Sequence, residues 1–238
     1  MKKVVLTDTF RICLILVIII FLILLCTTIR SEYFTQPTLP DLYFINLEHR
    51  KDRLEHILKQ LSNVAYPLDK IHRINAIKKK DGALGCGLSH IKALREGLKS
   101  NSKYIIILED DFMFTHPKTV SLDTLHKALN SNEDWNVILL ACNGKTDKNQ
   151  QHSKVLNGVI DCQTTSGYVI KKKYVPILLR EWEKCVIERQ KPNFNNRATS
   201  IDIWWKKLQN DKWYITNPKL GKQTPSFSDI EGVNVSYG

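Results

Sequence analysis

The sequence predicts an α/β fold: a mostly parallel sheet flanked by helices, with an apolar helix ahead of it. Three observations carry this. Short apolar runs alternate with segments of helical periodicity from residue 42 onward. One of those runs, Tyr104-Ile-Ile-Ile-Leu108, passes directly into Glu109-Asp110-Asp111. The chain also begins with an aliphatic stretch, residues 12–25, that stays apolar to residue 29.

The N-terminal stretch is the first element. At a rise of about 1.5 Å per residue, its roughly 18 residues just cross a hydrocarbon core of about 30 Å. Lys2, Lys3 and Arg11 precede it, whereas Arg30 and Glu32 follow and nearly cancel. The positive-inside rule then keeps residues 1–11 in the cytoplasm, makes 12–29 a signal anchor and sends the rest to a lumen or the outside. The competing reading is a cleaved signal peptide. The length of the run and the lack of a small-x-small site favour the anchor, hence a single-pass type II membrane protein. Residues 30–40, with Pro37 and Pro40, read as a stalk, and 41–238 as the folded domain.

Within that domain, residues 42–47 form a first buried strand. Leu54, Ile57, Leu58 and Leu61 place a helix over 50–62. Residues 71–76 are a second strand, and Leu84, Leu88, Ile91, Leu94 and Leu98 mark a second helix after a charged turn. The run at 104–108 has the continuous apolar character of a strand buried on both faces. A helix over 120–129, a strand over 136–141 and short strands over 159–162 and 166–170 follow. The polar stretch 144–153 is expected to be a mobile loop. Residues 173–189 form a long helix with Pro176 in its first turn, where a missing N–H costs little. A shorter helix over 200–209, a strand over 212–216 and an irregular tail from 217 complete the domain.

Composition bounds the chemistry. Hydrophobic residues make up 43% and charged residues 25%, enough for a sizeable core. The formal charge of +11 is scattered along the chain, which suits an anionic ligand or simply a lysine-rich surface. No zinc-finger spacing, RNA-binding aromatic signature or long basic helix is present, so nucleic acid is excluded as a partner. The cysteines contain no C-x-x-C pair, which argues against zinc. Cys86, Cys142, Cys162 and Cys185 are either buried thiols or, in an oxidising lumen, one or two disulfides. Asn234-Val235-Ser236 is a glycosylation sequon.

The acids after Leu108 are the chemical focus. They fall where a strand leaves the sheet, the edge at which open α/β sheets bind ligands. Three adjacent carboxylates need a positive partner. Either a divalent cation with oxygen ligands supplies it, or the three are a solvated turn with an Asp capping the next helix. Arg50 and Arg53 follow the first strand, and guanidinium forks suit phosphates or a base edge. Gly85-Cys86-Gly87-Leu88-Ser89-His90 is a small-residue turn into a helix without a Gly-Lys-Ser/Thr ending, so it is not a phosphate-cradling loop.

Ile45-Asn46-Leu47 with Arg50 and Arg53, then Gly85-Cys86 with Ser89-His90, Leu108-Glu109-Asp110-Asp111, Ser166-Gly167-Tyr168 and Ser228-Asp229-Ile230 occur in this order. Over about residues 42–230 the set resembles glycosyltransferase family 25, which includes lipooligosaccharide and collagen hydroxylysine galactosyltransferases. The resemblance implies a GT-A-like fold, a UDP-sugar donor, typically UDP-galactose, Mn²⁺ or Mg²⁺, and inversion at the anomeric carbon. It implies Asp110 and Asp111, with Glu109 behind them, as metal and diphosphate ligands. Asn46, Leu47, Arg50 and Arg53 would hold the uridine side. Ser89 and His90 would lie near the donor, and Gln223 and Asp229 would close over the donor or the metal. One departure is that Gly82-Ala83 stands where the family often has Gly-Glu. Asp202, opening a helix far in sequence from the acids, is the first candidate for the base that activates an acceptor hydroxyl, and Asp161 is the second. Trp204 and Trp205 are either a sugar platform or core. The expected activity is transfer of a sugar to a hydroxyl of a glycan or protein. Its alternatives are a non-catalytic carbohydrate-binding member and a metal-dependent phosphoryl or nucleotidyl transferase.

Overall fold

The structure, a computed structural model, describes residues 8–34, 39–131, 134–210, 212–227 and 232–235, without the side chains of 8–9, 11–12, 26–34 and 148–152. The chain divides into two units, 1–38 and 39–238. In the first, helix α1 runs over Asp8–Phe34. Its described side chains from Leu14 to Leu25 are exposed apolar residues. Among the described residues no helix is long and apolar enough to cross a membrane. Part of the span expected at 12–29 falls on residues whose side chains are not described.

The second unit is built on an eight-stranded sheet ordered β2-β1-β3-β8-β5-β9-β7-β6. Its strands are β1 (Asp41–Asn46), β2 (Ile71–Asn75), β3 (Tyr104–Glu109), β5 (Val137–Leu139), β6 (Asn143–Ser153), β7 (Leu156–Gln163), β8 (Gly167–Lys171) and β9 (Trp213–Thr216). Strand β1 pairs parallel with β2 and β3, and β5 with β9. Strands β8 and β7 run against their neighbours, so six of the eight share one direction. The sheet is therefore a mixed one, mostly parallel, within an α/β fold.

Strand periodicity divides the apolar run of β3 between two cores. Ile105 and Ile107 belong to the side packed by α3 (Gly82–Gly97) and α5 (Val175–Arg189). Ile106 and Leu108 belong to the side that includes Ile57 and Leu61 of α2 (Lys51–Asn63) and Leu125 of α4 (Lys118–Leu129). Both faces of the strand are dry, as its composition required. Not every apolar helix position faces inward: Leu58 is exposed while Ile57 and Leu61 are buried. The Asp81 side chain caps α3 by accepting the Leu84 N–H at 3.3 Å. Trp205 is buried and stacks on Trp182, with Tyr168 edge-on to it, so it is core rather than a sugar platform. Trp204 packs against the same cluster.

Three expectations are corrected. The stretch 144–153 is strand β6 rather than a loop. It pairs antiparallel with β7 at the sheet's outer edge, with register shifts, and Cys142–Cys162 bridges the base of the pair. A polar chain can hold an edge strand because the ladder satisfies its backbone while its side chains meet water. The tail is not wholly irregular. Strand β10 (Gly221–Gln223) pairs with β4 (Phe112–Phe114), and β11 (Ser226–Phe227) pairs with β12 (Asn234–Val235). The helix expected at 200–209 is one α-turn, α6 (Ile201–Trp204), tightening into a 3₁₀ turn over Trp205–Leu208.

Candidate active site

Strand register brings the site together. Ile45 pairs with Glu109, so β1 and β3 end at the same edge, and Asn46 lies beside Asp110. The Asn46 amide donates to Asp110 Oδ2 at 2.7 Å, while Arg73 donates to Asn46 Oδ1. Antiparallel β8 starts at the same edge, because Gly167 pairs with Leu108. Thr165 therefore reaches Glu109, donating its hydroxyl at 2.6 Å. Gln223 of β10 pairs with Phe112, which sets it next to Asp111, and Thr224 donates its N–H to the Asp111 carbonyl.

A cavity of about 440 Å³ opens over this edge. Glu109, Asp110, Asp111, Asp202, Gln223 and Arg53 all line it, together with Leu47, Ser89 and His90. A second hollow of about 580 Å³ lies around the start of β1 and along β2. Its two acids pair with lysines, Asp41 with Lys70 and Glu96 with Lys99, whereas the smaller cavity gathers four carboxylates, Glu109, Asp110, Asp111 and Asp202, and is the reactive candidate.

Within it the three acids play separate parts. Arg53 Nη1 sits between Asp110 (3.0 Å) and Asp111 (3.2 Å) and is the cation that those two share. Glu109 turns instead to His90 Nε2 at 3.0 Å and to Thr165. Burial opposes its ionisation, but His90 and Thr165 outweigh that and hold its carboxyl below the usual range. Burial raises Asp110, against the pull of Arg53 and Asn46. Asp111 is pushed up to about 7 by burial first and then by the charge of Glu109. Asp111 Oδ1 is buried and has no hydrogen-bond partner among the described residues. Burial and then Glu109 also raise the carboxyl of Asp202, which lines the same cavity.

The other expected residues scatter. Asp161 is half-exposed, ion-paired with Lys206 at 2.6 Å, and does not line the cavity. Arg50 does not line it either: its guanidinium pairs with Asp52. Ser89 lines the wall but is occupied, donating to the Gly85 carbonyl and accepting the Ile77 N–H, both at 2.7 Å. His90 is buried and orients Glu109, with its other nitrogen 3.2 Å from the Tyr168 hydroxyl. Cys86, His90 and Glu109 bring ligand atoms within 4.8 Å of one another. The hydrogen bonds of His90 and the thiol of Cys86, which burial raises well above its ordinary range, account for that cluster without an ion. Asp229 and Ser236 of the sequon lie outside the described residues.

Sequence reasoning missed Lys78, Lys79, Gln163, Thr164, Thr165 and Arg197, all of which line the cavity. Thr164 adopts φ +81° and donates its hydroxyl to Gln223 Oε1 at 2.7 Å. A left-handed backbone at a β-branched residue is costly and persists where its surroundings impose it. The Thr164-Thr165 pair between two strands is the one signal that pointed there.

The profile described as "Glycosyltransferase family 25 (LPS biosynthesis protein)" matches residues 69–191. This stretch holds α3 and the acid cluster but not Asn46, Arg53, Asp202 or Gln223. No curated protein sequence matches the chain. Among solved structures, a glycosyltransferase involved in glycosylation of the major capsid of PBCV-1 is 7% identical, over 74% of this chain and 81% of its own, with TM-score 0.43. The glycosyltransferase GlyE of Streptococcus pneumoniae is 10% identical, over 74% of this chain and 45% of its own, with TM-score 0.42. A mannose-1-phosphate geranyltransferase of Thermus thermophilus is 13% identical, over 75% of this chain and 73% of its own, with TM-score 0.42.

Proposed function

The chain belongs to glycosyltransferase family 25, and from that premise we propose that it moves a sugar, galactose, from a UDP-sugar to a hydroxyl of a glycan or protein, with inversion and with a divalent cation. One observation carries this: Glu109, Asp110, Asp111, Gln223 and Asp202 converge on one cavity at the end of β3.

The residues fit a hard cation, because the buried Asp111 Oδ1 lacks a partner among the described residues and carboxylates surround it. Asp111 would hold the ion, with Asp110 beside it, and the bound ion would neutralise charge gathering on the leaving diphosphate. Arg53 keeps the two carboxylates aligned, and Asn46 fixes Asp110. Asp202, its carboxyl raised by burial and by Glu109, takes the proton from the acceptor hydroxyl. The freed oxygen attacks the anomeric carbon as the bond to the diphosphate breaks, and UDP departs with the electron pair. In this reading Asp202 is the base; Asp161, paired with Lys206 and outside the cavity lining, is not used.

We further propose that residues 12–29 anchor the chain with 41–238 on the lumenal or extracytoplasmic side. The Cys142–Cys162 disulfide supports an oxidising compartment. Protection of the domain from added protease in sealed microsomes tests this.

The full-length chain in detergent, incubated with UDP-galactose, other UDP-sugars and Mn²⁺, is expected to release UDP, fastest with UDP-galactose. No hydrolysis or transfer from any of them refutes the reading. Release of inorganic phosphate or pyrophosphate in place of UDP would assign a phosphoryl or nucleotidyl transferase.

A further inference from the structure

The lining of the cavity includes basic residues besides Arg53. Lys78 and Lys79, on the loop before α3, and Arg197, on the loop before α6, all line it. All three are exposed, and none is ion-paired with an acid among the described residues.

Their positions are fixed rather than incidental. Arg189 is buried and clamps both loops at once. Its Nε and Nη2 donate to the Asp81 carboxylate at 2.7 and 2.8 Å, and its Nη1 donates to the Asn196 carbonyl at 2.8 Å and to Thr199. The first loop is also pressed onto α3: a Cβ at Gly85 would lie 2.6 Å from the Ile77 carbonyl, and Ser89 accepts the Ile77 N–H. The backbones carrying the three cations are therefore ordered before any ligand arrives, which removes part of the cost of binding.

Asp202 follows Arg197 closely in the chain and lines the same cavity. The group that meets Asp202 is the acceptor, while the diphosphate of the donor is expected at Asp111. Building on the glycosyltransferase reading above, we infer that the acceptor is an anionic sugar, carrying a phosphate or carboxylate that the Lys78–Lys79–Arg197 rim receives while its hydroxyl faces Asp202. Phosphate and carboxylate share the chemistry of this rim, and the test separates them.

The experiment uses the full-length chain in detergent with UDP and Mg²⁺. Saturation-transfer NMR measures binding of galactose, galactose 6-phosphate and galacturonic acid. Hydrolysis of UDP-galactose without an acceptor is followed in parallel. At least one of the two acids is expected to bind about tenfold more tightly than galactose, and which of them does so names the anion. That preference is expected to shrink to about twofold in a K78A/K79A/R197A variant, and equally for the wild type in about 0.5 M salt. The K80A variant, an exposed neighbour outside the cavity lining, is expected to keep the preference. Equal binding of neutral and anionic sugars overturns the inference. So does a preference that survives both the triple variant and salt, or a triple variant whose main effect is a raised KM for UDP-galactose, which would put the cations on the donor. Donor hydrolysis with no anionic preference refutes the inference alone, and absence of both hydrolysis and transfer with every UDP-sugar refutes the function on which it rests.

Discussion

Replacing Asp111 by Asn should stabilise the fold while it removes activity. The carboxyl rises from an ordinary 3.8 to about 7, chiefly through burial and then through the charge of Glu109. At 1.36 kcal/mol per pH unit, ionising it inside the protein costs up to about 4 kcal/mol relative to the unfolded chain. The direction is opposite to that of a salt-bridged carboxylate. Below the ordinary value both states are protonated and nothing is lost. The cost grows between there and about 7 and is complete above it, where the folded protein must hold the charge. Asn keeps the shape without the charge, so its benefit is expected at alkaline pH and should fade as pH falls toward 4. Loss of attraction to Arg53 and an unpaired amide at the Oδ1 position reduce the gain by roughly half, to about 2 kcal/mol, or roughly 4–8 °C for a domain of this size. Thermal unfolding of both proteins from pH 5 to pH 8, followed by circular dichroism, reads this directly. Mn²⁺ with UDP should raise the midpoint of the wild type and leave the variant unmoved. A variant less stable than the wild type at pH 8, or a gain that does not diminish at pH 5, refutes the placement at Asp111 of a carboxylate whose burial outweighs its pairing with Arg53.

Asp202→Asn is expected to lower kcat by about 10²–10⁴ with little change in UDP affinity measured by calorimetry. In the wild type the rate should fall as pH drops through the raised pKa of Asp202, since the base works only deprotonated. Gly221→Ala builds a Cβ 2.0 Å from Phe112 Cζ, a fully buried ring. It should destabilise the domain by at least about 1–3 kcal/mol, seen as a lower melting midpoint, and should weaken donor binding because β10 carries Gln223. Reducing the Cys142–Cys162 bridge, whose partners are 20 residues apart, should cost about 3 kcal/mol in a thermal scan with and without reductant.

The framework of the fold was legible because its strands and helices announce themselves by period. The run at 104–108 had to be buried on both faces, and Ile105 to Leu108 alternate between two cores. The edge position of the acids follows from the same run, as does the place of Asn46, because parallel neighbours end together. What stayed hidden depends on pairing between distant segments. Nothing in residues 144–153 reads as strand, since an outer edge needs backbone partners rather than apolar side chains. Strand β4 is three residues long and exists because β10 comes back to it from more than a hundred residues away.

The same distinction explains which site residues were found. Acids in a row are visible in one dimension, but their counter-ion is not. One positive group that the structure brings to them is Arg53, supplied from α2. That it serves Asp110 and Asp111 while Arg50 turns away to Asp52 is decided by which face of the helix start meets the sheet edge. Glu109 stands behind Asp110 and Asp111 in the sequence reading, and the structure separates it from Asp110: a strand alternates its side chains, so the two leave the sheet on different sides. One goes to His90 and Thr165, the other to Asn46 and Arg53. The consequence is chemical: Glu109 is held ionised by its partners, and its fixed charge adds to burial in raising both Asp111 and Asp202. Glu109 can therefore tune the proton affinity of two other carboxylates that line the same cavity. That role leaves no trace in local sequence, because it belongs to the meeting of β3, α3 and the turn before β8.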